Sequence, residues 1–143
     1  MLTLLRNLLA PNPPRLAEPD ARLALAALLV RVARSDGRYA AEEVARIDAI
    51  LRARHGLSDG QAADLRTLAE AVEAEAPDTV RFTRALKAAV ALEDRLALIE
   101  ALWRIALADG ARDAEEDRTL RLVANLLGLT DVQSAQARQR VAP

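Results

Sequence analysis

Ser35-Asp36-Gly37-Arg38-Tyr39-Ala40-Ala41-Glu42-Glu43 returns farther along the chain as Ala108-Asp109-Gly110-Ala111-Arg112-Asp113-Ala114-Glu115-Glu116. The Asp-Gly and Glu-Glu pairs recur at a constant offset of 73 residues, Asp36 matching Asp109 and Glu43 matching Glu116. The flanks keep the same register: Arg22-Leu23-Ala24-Leu25 recurs as Arg95-Leu96-Ala97-Leu98, Arg31 as Arg104, Ile47 as Leu120 and Ile50 as Val123. One residue is then lost, and Gly56-Leu57-Ser58-Asp59 aligns with Gly128-Leu129-Thr130-Asp131 at an offset of 72. A match of this length is an internal duplication.

Working outward from the joint, Leu23, Ala26, Ala27, Val30 and Ala33 fall at helical spacing. They predict a helix over about residues 20–35 with one apolar face, closed at Asp36-Gly37. Val44, Ile47, Ile50 and Leu51 predict a second helix from Ala41 to a stop at His55-Gly56. Ser58 with Gln61 three residues on reads as a capping box that opens a third helix running toward Glu75, and Thr130 with Gln133 repeats it. Pro77 pushes Ala76 out of the helical region, and Asp78 or Thr79 then caps a helix over 79–92 that bridges the two units. The predicted fold is therefore all-α, a compact bundle of about seven helices built from two pseudo-symmetric repeats, about 20–70 and 93–139.

Ahead of the repeats, Leu2, Leu5 and Leu9 share one side of a short helix with Leu4 and Leu8 adjoining, while Thr3, Arg6 and Asn7 face away. It is too short to span a bilayer, which takes about 20 apolar residues. Two readings stand: a helix packed on the domain or a partner subunit, or a weak anchor at a membrane surface. Pro11, Pro13 and Pro14 make the next stretch a stiff linker, with Pro19 at its end. The expected division is 1–19 as helix and linker, and 20–143 as the helical domain.

Composition narrows the chemistry. The 143 residues are 52% hydrophobic and 29% charged, and the apolar part is mostly alanine, leucine and valine, a palette for helix rather than strand. Without cysteine there is no disulfide, thiolate site or thiol nucleophile. A net charge of −1 and only three aromatic residues, Tyr39, Phe82 and Trp103, argue against nucleic acid as a partner. The basic residues are arginine except for Lys87, which with the abundant alanine suggests a GC-rich bacterial genome. No phosphate loop or dinucleotide fingerprint is present. His55 beside its helix-stopping glycine reads as a helix-end residue, and Trp103 on the repeated apolar face reads as packing. Tyr39 reads either as a partner contact or as a cover for the neighbouring helix end.

With Asp-Gly-x-x-x-x-Glu-Glu present twice between helices, the chain resembles the tellurite-resistance TerB-like family over about residues 20–139. Ser35-Asp36-Gly37 with Glu43, and Ala108-Asp109-Gly110 with Glu116, carry the resemblance. It implies a compact all-α domain with pseudo-two-fold symmetry and a bacterial role in envelope or chemical stress. It also implies acidic residues suspected of holding a divalent metal. Ala40 departs from the pattern, which expects a capping Ser, Thr or Asp there.

Two readings of the acidic residues remain open. In the second loop Asp113 reads as an N-cap and Glu116 as the third helical residue, so the carboxylates suit helix amides and the dipole, each cap contributing about 1 kcal/mol. Asp36 and Asp109, in a last helical turn, oppose the dipole at a cost of roughly 0.3–1 kcal/mol unless loop amides or a cation offset it. In the cation reading the ligands are Asp36, Glu43, Asp109, Asp113 and Glu116. Carboxylates without Cys or a nearby His suit calcium or magnesium rather than zinc, and the second loop is the richer site. No nucleophile, base or substrate pocket can be named, so the chain is read as no enzyme. The expected function is a cytoplasmic, membrane-associated or free, interaction module with protein partners. The alternative is a metal-ion sensor or small-ligand-binding protein.

Overall fold

The computed structural model describes residues 2–10, 18–34, 39–76, 78–107 and 114–141. Among them eight helices follow one another: α1 Leu2–Leu8, α2 Glu18–Ala33, α3 Ala41–His55, α4 Asp59–Glu75, α5 Thr79–Ala89, α6 Leu92–Leu107, α7 Ala114–Leu126 and α8 Asp131–Val141. The all-α expectation holds, with one helix more than the expected seven.

Local chemistry sets the helix ends. Gly56 closes α3 at φ 64°, and Gly128 follows α7 at φ 81°, both in the left-handed region that glycine enters without strain. The Ser58 Oγ accepts from the Gln61 amide at 3.1 Å while the Gln61 side chain accepts from the Ser58 amide at 2.9 Å. Thr130 and Gln133 make the same pair of bonds at 3.0 and 2.9 Å. Asp78 caps α5 by accepting the Arg81 amide at 3.0 Å, and Ala76 before Pro77 is extended, as the proline requires. Ala40 supplies no side-chain cap to α3. Pro19, read above as the end of the linker, instead sits in the first turn of α2, where a missing N–H costs no intrahelical bond.

The packing corrects one expectation more substantially. Helix α2 is not one-faced: Ala24 through Val30 are all buried, as are Val32 and Ala33. It touches α3, α4, α5, α6 and α7, so every side of it is covered. The most extensive pair in the first unit is α2 with α4, and in the second α6 with α8. Between units α2 meets α7 and α3 meets α6, a reciprocal exchange between corresponding helices. Helix α5 touches both α2 and α7, carrying fully buried Phe82 and Leu86 into the space between the units. Each such side chain contributes roughly 1.5–3 kcal/mol by leaving water.

Helix α1 lies against α5, and Leu4, Leu5 and Leu8 are buried in the same core. Of the two readings of this helix, its leucines therefore serve packing on the domain. Trp103 is buried as well, donating its indole N–H to the Ser134 hydroxyl at 3.2 Å between α6 and α8.

Replacing Ser58 or Thr130 by Ala should each lower stability by about 1 kcal/mol. The two caps sit on separate helices, so the double variant should lose the sum. Urea unfolding checks this, and an undiminished midpoint in either single variant would contradict the cap it removes.

Candidate functional site

The first acidic joint enters α3 through Tyr39 and Ala40. The Ala40 carbonyl accepts the amides of Glu43 and Val44 at 3.1 Å, which starts the helix without any help from a capping side chain. Glu42 is exposed in this first turn, and Glu43 is half-buried and already engaged in a polar or electrostatic contact. Both carboxylates suit the positive end of the α3 dipole.

Of the five residues read as cation ligands, Glu43 alone has a described side chain. Asp36, Asp109 and Asp113 lie outside the described residues, and Glu116 belongs to α7 with its side chain outside the description. Among the described residues no three His, Cys, Asp or Glu side chains gather as a metal-holding group.

The other acidic groups beside the joint are held by arginines. Arg34 Nη1 lies 2.6 Å from Glu73 Oε2, and Arg31 Nε lies 3.2 Å from Glu73 Oε1. Arg31 also donates to the carbonyls of Glu73 and Ala76 at 3.2 and 3.3 Å, tying the end of α4 to α2. The Glu73 carbonyl also accepts the Ala76 amide at 3.1 Å, so both carbonyls lie in the final turn where α4 closes. The same guanidinium lies 5.4 Å from the Phe82 ring centroid, so it joins α2, α4 and α5 at one point. In a second cluster between α3 and α4, Arg66 Nε bonds Asp48 at 2.6 Å and its Nη1 reaches Glu70 at 3.2 Å. Hydrogen bonding to Asp48 is the main cause that holds the Arg66 guanidinium more firmly charged than usual.

Tyr39 lies between these clusters. Arg34 sits 4.8 Å over its ring. Its hydroxyl is buried and makes no hydrogen bond of full geometry, although the Glu70 carboxylate is near enough to act on it. Burial first, and then Glu70, push its ionisation above the ordinary value near 10, with Arg66 and Arg34 offsetting part of the effect. The choice left open for Tyr39 thus falls to covering the joint from within the domain.

A second feature had no counterpart in the sequence reading. Where α2, α3 and α6 meet, a half-open groove of about 550 Å³ has a floor that includes Leu25, Leu29, Leu51 and Leu98. Its polar lining is Arg22, Arg54 and His55 against Asp94. It runs on, through shared Arg54 and Ala101, into a shallower one of about 540 Å³ that adds Ile50, Ala53 and Arg104. His55 thus does more than end α3, since it also lines this opening. The groove draws on helices of both repeats, so no local spacing announces it.

An all-helical domain in which Asp48, Glu70 and Glu73 are tied to arginines, with a groove open where α2, α3 and α6 meet, is a compact helical module. The family model described as Tellurite resistance protein TerB matches residues 22–139, spanning both repeats, and the chain belongs to that family. No curated protein and no solved structure matches the chain.

The Tyr39 shift has a measurable consequence. Tyr39 is the only tyrosine, so ultraviolet titration of tyrosinate reports on it alone. Because the folded value is raised, its contribution to stability is fully present below the unfolded value near 10 and is lost as pH rises toward the folded one. Tyrosinate should therefore appear above the normal range in the native protein and near pH 10 in urea. Tyr39→Phe, which removes a buried hydroxyl without a full partner, should leave stability unchanged or raise it by up to about 1 kcal/mol. A native titration near 10 would contradict the burial.

Proposed function

We propose that this TerB-family chain is a non-enzymatic interaction module in a bacterial chemical or envelope stress response, receiving a protein partner in the groove between α2, α3 and α6. The observation that carries this reading is the lining of that groove. Buried leucines form its floor, and arginines stand at its edge. Arg54 and Arg104 are exposed and hold no ion pair among the described residues. Protein interfaces combine an apolar centre with arginine anchors, because a guanidinium can lay its plane on a partner and donate several hydrogen bonds at once. A partner segment with apolar residues along one edge and carboxylates beside them would meet both needs.

A divalent cation enters this reading as an accessory at the joints. Asp36 and Glu43 in the first, with Asp109, Asp113 and Glu116 in the second, form an all-carboxylate donor set whose chemistry fits calcium or magnesium. Such an ion would neutralise carboxylates of the joints and stiffen the connections from α2 to α3 and from α6 to α7.

The groove is tested by placing a photo-crosslinking amino acid at position 53, exposed on the groove wall, and at position 140 on α8 as the comparison. Crosslinking in the native host should give one discrete protein adduct from position 53 and none from 140, and Arg54→Glu with Arg104→Glu should abolish it. Equal or absent adducts at both positions would overturn the docking reading.

The cation is tested separately, by titrating purified protein with calcium, magnesium and manganese and following the melting temperature. A rise that Asp109→Asn with Glu116→Gln removes is expected. No shift at millimolar metal would remove the ion from the proposal and leave the groove untouched.

A further inference from the structure

We propose that the outer face of α5 is a docking surface for an anionic lipid bilayer. Arg81, Arg84 and Lys87 follow one another every three residues and are all exposed, while Phe82, Thr83, Leu86 and Ala89 on the other side are buried. Three-residue steps keep the cations within one arc of the helix. Val80 is 42% exposed and shares a face with Arg84 and Lys87 by its four- and seven-residue spacing.

Helix α1 lies alongside, adding exposed Arg6 and Leu9, and a shallow groove of about 230 Å³ between the two helices is lined by Leu9, Arg81 and Arg84 among others. Helix α5 itself contains no acidic residue. The nearest in sequence are Asp78, whose carboxylate accepts the Arg81 amide at the N-cap, and Glu93 in α6.

Elsewhere ion pairs match arginines to acids: Arg31 and Arg34 with Glu73, Arg52 with Asp59, Arg66 with Asp48 and Glu70, and Arg140 with Glu100, while Arg54 and Arg104 at the groove are unmatched among the described residues. Arg81, Arg84 and Lys87 have no ion-pair partner among the described residues. A chain of net charge −1 thus carries a local cationic face that the carboxylates among the described residues leave open.

The occupant follows from that chemistry. Four cations alternating with exposed aliphatic side chains match a headgroup layer, where the charges meet lipid phosphates and Val80 and Leu9 rest at its apolar edge. A nucleic-acid groove would instead favour aromatic stacking surfaces, and this face has none. Leu4, Leu5 and Leu8 are buried and so do not insert. Attachment is therefore electrostatic, reversible and salt-sensitive.

Flotation of the full chain with vesicles tests this. Mixed phosphatidylglycerol and phosphatidylcholine vesicles should bind it about tenfold more strongly than pure phosphatidylcholine, and binding should fall as salt rises. Arg84→Glu with Lys87→Glu should remove that preference, and Arg81→Gln with Arg84→Gln, which takes away two of the four cations, should cut it to about threefold. Circular dichroism should be unchanged in both variants. Arg52→Glu with Arg140→Glu makes the same charge change elsewhere and should keep the preference. Equal binding to both vesicle types, equal loss in the Arg52/Arg140 variant, or tighter binding to duplex DNA than to mixed vesicles would overturn the proposal.

Discussion

Everything in this fold depends on the need to cover α2 on all sides. A helix buried from Ala24 through Val30 cannot be sheltered by the two other helices of its own unit. It must also receive α5, α6 and α7, which makes the second unit a structural necessity for the first. The many alanines in α2 allow these neighbours to come close, because they take little volume and lose no side-chain entropy when buried. Helix α5 then fills what two units alone would leave open, with Phe82 and Leu86 between them.

The sequence repeat matches Arg31 with Arg104 and Arg22 with Arg95, and these counterparts are used differently. Arg31 ties the end of α4 to α2 through Glu73 and two carbonyls, whereas its equivalent Arg104 stands exposed at the shallower groove. Arg95 donates to the Val90 carbonyl at 3.1 Å and to the Leu127 carbonyl just before Gly128, binding two joints together. Its equivalent Arg22 lines the larger groove. In each pair one copy joins helix ends inside the domain and the other edges an opening. The groove is thus where two similar units stop being similar.

Features decided within one helical turn were legible from sequence. Ser58 with Gln61, Thr130 with Gln133, Gly56, and Asp78 after Pro77 each act on amides or carbonyls a few residues away, so their spacing suffices to identify them. Helix α2 was misread because a run of alanine and leucine gives the same sign of hydropathy on every face, and only the number of neighbours distinguishes one covered face from several. Arg31 and Glu73 are 42 residues apart, and no local pattern links them. Arg66 with Glu70 at i and i+4 was visible in principle. Of the acidic set, Glu43 was legible as a first-turn carboxylate and is found there, while the structure speaks to no other member's side chain.

Charge pairing connects these observations to function. Near the first joint Asp48, Glu70 and Glu73 all face arginines, and the low exposure of Arg66 and Glu73 makes those pairs depend on one another. Removing one partner of such a pair leaves a charge without compensation in a poorly solvated place, which costs more than the pair contributes. These carboxylates are therefore poor candidates for release to an outside cation, and ion binding at the joints would have to draw on the loop aspartates with Glu43 and Glu116. The same internal pairing leaves Arg81, Arg84 and Lys87 on α5, and Arg54 and Arg104 at the groove, without an ion pair among the described residues, although the chain as a whole is almost neutral. Attraction to a partner is then short-ranged, set within about 8 Å at physiological salt by the local face and not by net charge.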